Sequence, residues 1–375
     1  MIIMLDTKGI LSEQICSLKK KSLKKRKTRD SGKAIASWIE DDRLITGPGK
    51  ALVIILNSQG CNWGLGVDGG CSMCGYSNET SAIDISADDL IAQVNNTLPK
   101  FSKKEFQSIK IFNSGSFLDT NEIPIEAQTE ILGMINEFES VSEVIIESRP
   151  EYVSRKTLKI LRKTLDQSKE LEIGIGLETS NDLIRINNIN KGFLFEDYKN
   201  AVKSALSENT RVKTYLLLKP PFLTEKEAIK DTVQSAIDAI KTGSRSISIN
   251  PINVQSGTLV YDLWRNGIYR SPWYWTLKTV LLKIWNQIKK QKLTEKVDRI
   301  LSDPSGAGTQ RGIHNCSKCN KDFIKALRNY SVNQDYTILN KITCSCQNLW
   351  LELIRQEEAS RDFSLMRVEN PRNLL

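Results

Sequence analysis

Histidine is nearly absent from this chain: one residue, His314, in 375. That excludes a His-Glu-x-x-His metalloprotease site and any histidine-rich metal cluster. A Ser-His-Asp or Cys-His mechanism would have to run through His314, which stands beside a Cys-x-x-Cys and is better explained there. Long apolar runs are missing too, and none approaches the ~20 residues of a bilayer-spanning helix. No secretory core is read at the start, because Asp6 and Lys8 break Met1-Ile2-Ile3-Met4-Leu5 too early. The eight cysteines are therefore expected in a reducing cytoplasm, where clustered Cys means metal or catalysis before disulfide. Acidic residues are in deficit, 44 against 53 Lys and Arg, for a formal net charge of +9. Such a balance suits a polyanionic partner, RNA or DNA first. Part of the excess forms one run, Lys19-Lys20-Lys21 and then Lys24-Lys25-Arg26-Lys27. It reads as a phosphate-gripping segment or as a solvated helix face; nothing in it could read bases.

What the chain does have is alternation. Short β-type apolar runs fall at 51–56, 108–112, 143–147, 172–177, 212–218 and 246–250. Helical patterns fall between them at 86–96, 125–138, 150–163, 195–207 and 225–241. Strict alternation predicts βαβ units and a parallel sheet, either a partial barrel or an open doubly wound sheet. In both, ligands sit beyond the carboxyl ends of the strands. Residues 1–45 read as a basic helical arm, 46–295 as the sheet domain, and 296–375 as a small Cys-rich metal-binding module.

The first strand leads into Cys61-Asn-Trp-Gly-Leu-Gly-Val-Asp-Gly-Gly-Cys71-Ser-Met-Cys74-Gly-Tyr76. Glycines let such a loop fold tightly around something close. A structural zinc site asks for four protein ligands. Three cysteines instead suit an iron–sulfur cube with one iron left open. Cys16 is the remaining candidate for a fourth zinc ligand, on a helix-like segment far upstream. Near the other end, Cys316-Ser-Lys-Cys319 and Cys344-Ser-Cys346 form two chelating pairs, expected to hold zinc, with a second iron–sulfur cluster as the alternative. His314 would replace one Cys there or bond a ligand sulfur. Lys318, Lys321, Lys325 and Arg328 would give the module an RNA-facing surface.

The Cys61–Tyr76 loop resembles the cluster loop of radical-SAM enzymes, although its C-x9-C-x2-C spacing departs from their usual C-x3-C-x2-C. That spacing is itself similar to one branch, the archaeosine synthase radical-SAM subunits, related to the Elongator-type enzymes. The likeness extends to Glu147-Ser-Arg-Pro-Glu-Tyr152, Gly176-Leu-Glu-Thr179, Ile189-Asn-Lys-Gly-Phe193, Asn266-Gly-Ile-Tyr-Arg-Ser-Pro-Trp273 and Arg311-Gly-Ile-His-Asn-Cys316.

The resemblance implies an α/β fold, a partial (β/α)6 TIM-like barrel with a C-terminal zinc module. It implies a [4Fe–4S] cluster on Cys61, Cys71 and Cys74 that cleaves S-adenosylmethionine to a 5′-deoxyadenosyl radical. Contacts to S-adenosylmethionine would come from Tyr76, Gly115, Ser116, Glu178, Lys219 and Asn250. Many relatives have Gly-Gly-Glu where this chain has Asn113-Ser-Gly-Ser116. Glu178 in particular, a carboxylate ending an apolar strand, needs a ligand or a cation. Glu147 and Arg149 would bind substrate or pair with each other, and Lys191 would face a carboxylate. Trp264, Tyr269, Trp273, Tyr274 and Trp275 would stack on a nucleobase or belong to the core. The implied substrate is tRNA with a lysine-modified 7-deazaguanine at position fifteen, lysylated by a partner subunit resembling tRNA-guanine transglycosylase. Cleaving a C–N bond would leave archaeosine. Two alternatives stand: another radical-SAM tRNA modification (methylthiolation or Elongator-like chemistry), or a non-enzymatic zinc protein that binds nucleic acid.

Overall fold

The computed structural model describes residues 9–24, 26 and 28–359. The apolar start at Met1–Leu5 with Asp6 and Lys8, and Lys25 and Lys27 of the basic run, lie outside the described residues.

One sheet of eight strands runs in sequence order: β1 Ala36–Arg43, β2 Pro48–Ile55, β3 Ser108–Phe112, β4 Glu143–Ser148, β5 Glu170–Glu178, β6 Arg211–Leu218, β7 Ser246–Pro251 and β8 Arg299–Leu301. β1 is antiparallel to β2, and every later neighbour is parallel. Each of β2 to β7 is followed by helix, giving six βα units as expected. The strand pattern omitted β1 and β8. β1 is rich in acidic residues (Glu40, Asp41, Asp42) and β8 is three residues long, so neither carries an apolar run.

The helices start and stop for local reasons. Ser86 and Asp89 form a capping box before Ala87–Asn95, and Thr224 and Glu227 do the same before Glu225–Thr242. Gly243, at φ 118°, ends the latter in the left-handed region. The 150–163 pattern divides into a 3-10 turn, Pro150–Tyr152, and the helix Arg155–Thr164, because Ser154 caps from inside that stretch.

The sheet is strongly curled. Laid flat, β1 and β8 would stand seven spacings apart, roughly 33 Å. Yet Arg299 of β8 donates to the Arg43 carbonyl of β1 at 2.5 Å, and to Glu143 of β4 (2.7 Å) and Glu172 of β5 (2.5 Å). One side chain reaching three distant strands requires a barrel-like curl, left open because β1 and β8 do not pair. Arg299, Glu143 and Glu172 thus plug the amino-terminal end of the lumen. Residues facing outward, such as Ile54, Ile111, Ile146, Ile173, Val212 and Ile247, are fully buried under the helices. Among the described residues no helix is long and apolar enough to cross a membrane.

Candidate active site and metal centre

At the carboxyl ends of the strands the burial pattern inverts. The lumen-facing residues Ile55, Phe112, Glu147, Gly176, Tyr215 and Asn250 are half-buried, while their outward-facing neighbours are buried. Solvent therefore enters the lumen from this end, opposite the Arg299 plug.

The cysteine loop closes over that mouth. Cys61 precedes the short helix Asn62–Leu65, and Cys61, Cys71 and Cys74 are all half-buried. The loop is docked at several points on the 188–193 segment that follows β5. Ser72 donates from its amide to the Ile189 carbonyl (2.8 Å) and from its hydroxyl to the Asn188 carbonyl (2.7 Å). Asn190, itself left-handed at φ 59°, donates to the carbonyls of Asp68 (2.9 Å) and Gly70 (2.8 Å). The Trp63 indole donates to the Asn190 carbonyl at 2.8 Å, and a side chain at Gly192 (φ +73°) would strike that indole at 2.4 Å. Gly69, at φ +71°, lets the loop run against the backbone of Ile15 and Cys16, where a Cβ would lie 2.4 Å from the Cys16 Cα. Cys16 is on the helix Ser12–Leu23 and joins no metal-ligand group among the described residues.

Cations line the thiols. Burial pushes the Cys71 thiol up to about 12, the neighbouring Lys191 and Arg149 charges pulling it down and Cys74 pushing it further up. Burial likewise raises Cys61, against Arg149. Arg149 is held between Trp63 and Phe193, 5.2 and 5.6 Å from their rings, and donates to the Lys191 carbonyl at 2.8 Å. It pairs with Glu151 at 2.5 Å rather than with Glu147. Buried thiols that are costly to ionise alone, facing two fixed cations, suit an anionic iron–sulfur cluster. No other ligand atoms close the three into a tight single-ion group among the described residues.

The strand-end residues are placed as follows. Glu178, at φ 64° on a β-bulge, has its cation: Lys191 lies 2.5 Å from Oε1. Gly176 lies beneath that pair, and a Cβ there would meet the Lys191 nitrogen at 2.6 Å. Lys219, at φ 65°, is buried and bonded to Glu225 at 2.7 Å and to the Arg270 carbonyl at 3.1 Å. Asn250 accepts from Ser248 at 3.1 Å, and Tyr76 is 54% exposed on the rim. Ser116 is buried, and its hydroxyl accepts from the Arg149 amide at 3.0 Å. Gly115 packs on Glu122, which sequence reasoning missed. This buried carboxylate accepts from Ser58 (2.6 Å), Asn113 (2.8 Å) and the Ser116 amide (2.7 Å). Burial raises its pKa against those three bonds. No local motif announces Glu122, because the loop turns back on itself to bring it there. The Asn113 side-chain amide oxygen is buried without a hydrogen-bond partner among the described residues, an acceptor suited to an ammonium such as that of S-adenosylmethionine.

Two members of the basic run serve the loop instead of solvent. Lys19 is 3% exposed and donates to the Cys74 carbonyl (2.6 Å) and Ser77 hydroxyl (3.2 Å). Arg26 donates to the Ser81 carbonyl at 3.0 Å. Lys20, Lys21 and Lys24 are exposed.

The C-terminal cysteines converge. Cys316, Cys319, Cys344 and Cys346 have all four sulfurs within 4.8 Å of one another, with contacts of 3.6 to 3.7 Å. A tetrahedron with metal–sulfur bonds of about 2.3 Å has edges of about 3.8 Å, so the set fits one ion. A cluster that gives each thiolate its own iron would spread them further. His314 is outside this group; its Nδ1 lies 2.8 Å from the Gly312 carbonyl. Sulfur bonds come instead from the Trp275 indole to Cys346 (3.3 Å) and from Asn315 to Cys319 (3.6 Å). Tyr274 and Trp275 are core, stacked and edge-on against Phe323 at 5.0 and 4.8 Å. Tyr269 is buried and donates to the Lys219 carbonyl at 2.8 Å, so these three are placed away from base stacking. Lys318, Lys321, Lys325 and Arg328 are exposed.

No protein-family model matches the chain. An archaeosine synthase subunit beta of Methanosarcina acetivorans is 38% identical over 89% of this chain and 93% of its own length. An archaeosine synthase subunit beta of Thermococcus kodakarensis is 36% identical over 84% of this chain and 94% of its own. Among solved structures, an Elp3 of Methanocaldococcus infernus lacking its N-terminus aligns over 65% of this chain and 60% of its own, at 17% identity and a TM-score of 0.47.

Proposed function

The chain belongs to the archaeosine synthase subunit beta family, and from that premise we propose that it is a radical-SAM enzyme of tRNA modification. Its substrate is tRNA carrying a lysine-modified 7-deazaguanine at position fifteen, and its reaction cleaves a C–N bond of the lysyl group to leave the formamidine of archaeosine. The observation that carries the reading is the docked loop: three half-buried thiols, faced by Arg149 and Lys191, over the open end of a curled parallel sheet.

A [4Fe–4S] cluster and S-adenosylmethionine, when bound, supply a 5′-deoxyadenosyl radical that takes a hydrogen atom from the lysyl side chain. The protein's own part is positional. Cys61, Cys71 and Cys74 hold the cluster, and Arg149 and Lys191 offset its charge. Asn113, Gly115 and Ser116 form the turn for the methionine end, while Glu178, Tyr76 and Asn250 line the nucleoside end. Lys219 holds the end of β6. The Arg299 plug closes the far end of the lumen to water. Cys316, Cys319, Cys344 and Cys346 hold one zinc ion, and Lys318, Lys321, Lys325 and Arg328 meet tRNA phosphates with Lys20, Lys21 and Lys24. A family named for a beta subunit implies a partner, read here as the lysine-transferring subunit resembling tRNA-guanine transglycosylase.

The test is anaerobic reconstitution with iron and sulfide, then a dithionite-driven S-adenosylmethionine cleavage assay on wild type and Cys71→Ala. A brown wild type that makes 5′-deoxyadenosine, lost in the variant, is expected. A colourless wild type with zinc at the triad and no 5′-deoxyadenosine overturns the reading in favour of a zinc nucleic-acid binder.

A further inference from the structure

The lumen holds more charge than its plug requires. At its closed end Arg299 pairs with Glu143 and Glu172. One step along, Lys110 of β3 pairs with Glu40 and Asp42 of β1 at 2.8 and 2.9 Å. At the mouth Lys191 pairs with Glu178. Two further charged groups of the lumen make no ion pair among the described residues. Lys213 of β6 is 5% exposed and makes no hydrogen bond or ion pair among the described residues; its ammonium stands 5.5 Å from the Tyr215 ring. Glu147 of β4 makes no ion pair among them either, and the Tyr215 phenol lies against it.

Strand register puts both on one row, which continues through Ser246 to Arg299. Glu147 pairs with Gly174 and Gly174 with Lys213, so the three form one row on adjacent strands, facing the lumen. Their backbones are two spacings apart, about 10 Å. Between them Gly174 has no side chain, and a Cβ there would meet the Tyr215 ring at 2.6 Å and its hydroxyl at 3.1 Å. Burial raises the Glu147 carboxyl, with Tyr215 and Lys213 drawing it back. Burial also depresses Lys213, with Lys110 and Arg299 adding repulsion and Asp42 and Glu172 drawing it back. A buried cation and a carboxylate that make no direct ion pair among the described residues gain most from a ligand that carries both charges.

We propose that Glu147, Tyr215 and Lys213 form a receptor for a zwitterionic α-amino-acid group: Glu147 takes the ammonium, and Lys213 the carboxylate. This rests on the lysyl-tRNA-base reading above and names the part of that substrate the lumen recognises. The geometry suits it. The row lies two residues, about 6.6 Å, below Gly176, over which Lys191 and the thiols sit. An extended lysyl chain spans roughly 6 Å from its α-carbon to its terminal nitrogen. With the amino-acid end anchored at the row, the far end of the chain stands at the level of the cysteine loop. The receptor selects a lysyl group over a plain diamine and fixes which carbon of the chain faces the mouth.

The test is binding, by titration calorimetry on the reconstituted chain, of four probes: L-lysine, lysinamide (no carboxylate), 6-aminohexanoate (no α-ammonium) and cadaverine (neither). Wild type is expected to prefer L-lysine to each truncated probe by roughly ten-fold or more, the scale of one charge-assisted hydrogen bond. Lys213→Met should bind L-lysine and lysinamide alike, and Lys213→Arg should keep the preference. Glu147→Gln should bind L-lysine and 6-aminohexanoate alike. Each comparison is made within one protein, so a general loss of stability does not mimic the pattern. A wild type indifferent to the carboxylate, or a Lys213→Met protein that keeps the wild-type preference, overturns the proposal. Failure of the radical-SAM reading shows separately, as absent 5′-deoxyadenosine.

Discussion

Lys219 and Glu225 form a buried ion pair at 2.7 Å that joins the end of β6 to the rest of the molecule. Glu225 is fully buried, and its second oxygen takes the Thr276 hydroxyl, which in turn accepts from the Trp350 indole at 2.9 Å. The chain of bonds runs from a strand end at the barrel mouth through the helix Tyr274–Lys290 into the helix Cys346–Ala359, which begins at a cysteine of the C-terminal four-sulfur group. Removing one partner of such a pair leaves an uncompensated buried charge. Glu225→Ala should lose about 3–5 kcal/mol in denaturant unfolding, and Glu225→Gln less. Near-equal stability of Glu225→Ala and wild type would show that Lys219 finds water or another acceptor.

Lys19 behaves as part of the cysteine loop. Lys19→Met removes two hydrogen bonds of a buried side chain, one of them to the Cys74 carbonyl. The loop should loosen by about 1.5–3 kcal/mol, and iron–sulfur absorbance should bleach faster under a chelator. Lys20→Met, on the exposed face, should bleach at the wild-type rate and instead lower the salt dependence of tRNA binding. Equal bleaching of both variants would return Lys19 to the phosphate-gripping role.

The four C-terminal cysteines should hold one ion per chain. Metal analysis of a protein with the Cys61, Cys71 and Cys74 thiols replaced should find one zinc and no sulfide. Trp275→Phe deletes an N–H bond to the Cys346 sulfur and should weaken the metal about 10-fold in chelator competition. Iron with acid-labile sulfide at this site would contradict the single-ion geometry.

Asp231 links stability to pH. Burial raises its carboxyl to about 7, against a bond from Thr179 and the Arg185 charge, and one oxygen is buried without a hydrogen-bond partner among the described residues. The folded state therefore binds a proton that the unfolded state has released above about 4. Its contribution is greatest at low pH and is lost as pH rises through 7. Asp231→Asn keeps an acceptor for Thr179 and should flatten the fall in unfolding midpoint between about pH 4 and 7. Parallel curves for the two proteins would show that Asp231 ionises without cost.

Much of this was readable before any coordinates. Buried parallel strands leave continuous apolar runs, so β2 to β7 announced themselves; acidic β1 and the three residues of β8 did not. Cysteine spacing announced both cysteine sets, because chelating pairs are local in sequence. Glu122 left no mark, and the roles of Asn190 and Lys19 in holding the cysteine loop did not show, since each acts across a loop or between segments distant in the chain. The aromatics at 269–275 read as core more readily than as a base-stacking surface, and packing on Phe323 places Tyr274 and Trp275 in the core.

The sequence by itself determined the order of elements, the two cysteine sets and the family, all of which are written in local pattern. Tertiary structure alone decided which charges are spent on one another. Glu178 with Lys191, Lys219 with Glu225 and Arg299 with two glutamates are pairs made by strand register and sheet curl. Only after that pairing do Glu147 and Lys213 stand out, because a leftover charge is defined by what its neighbours have already bound.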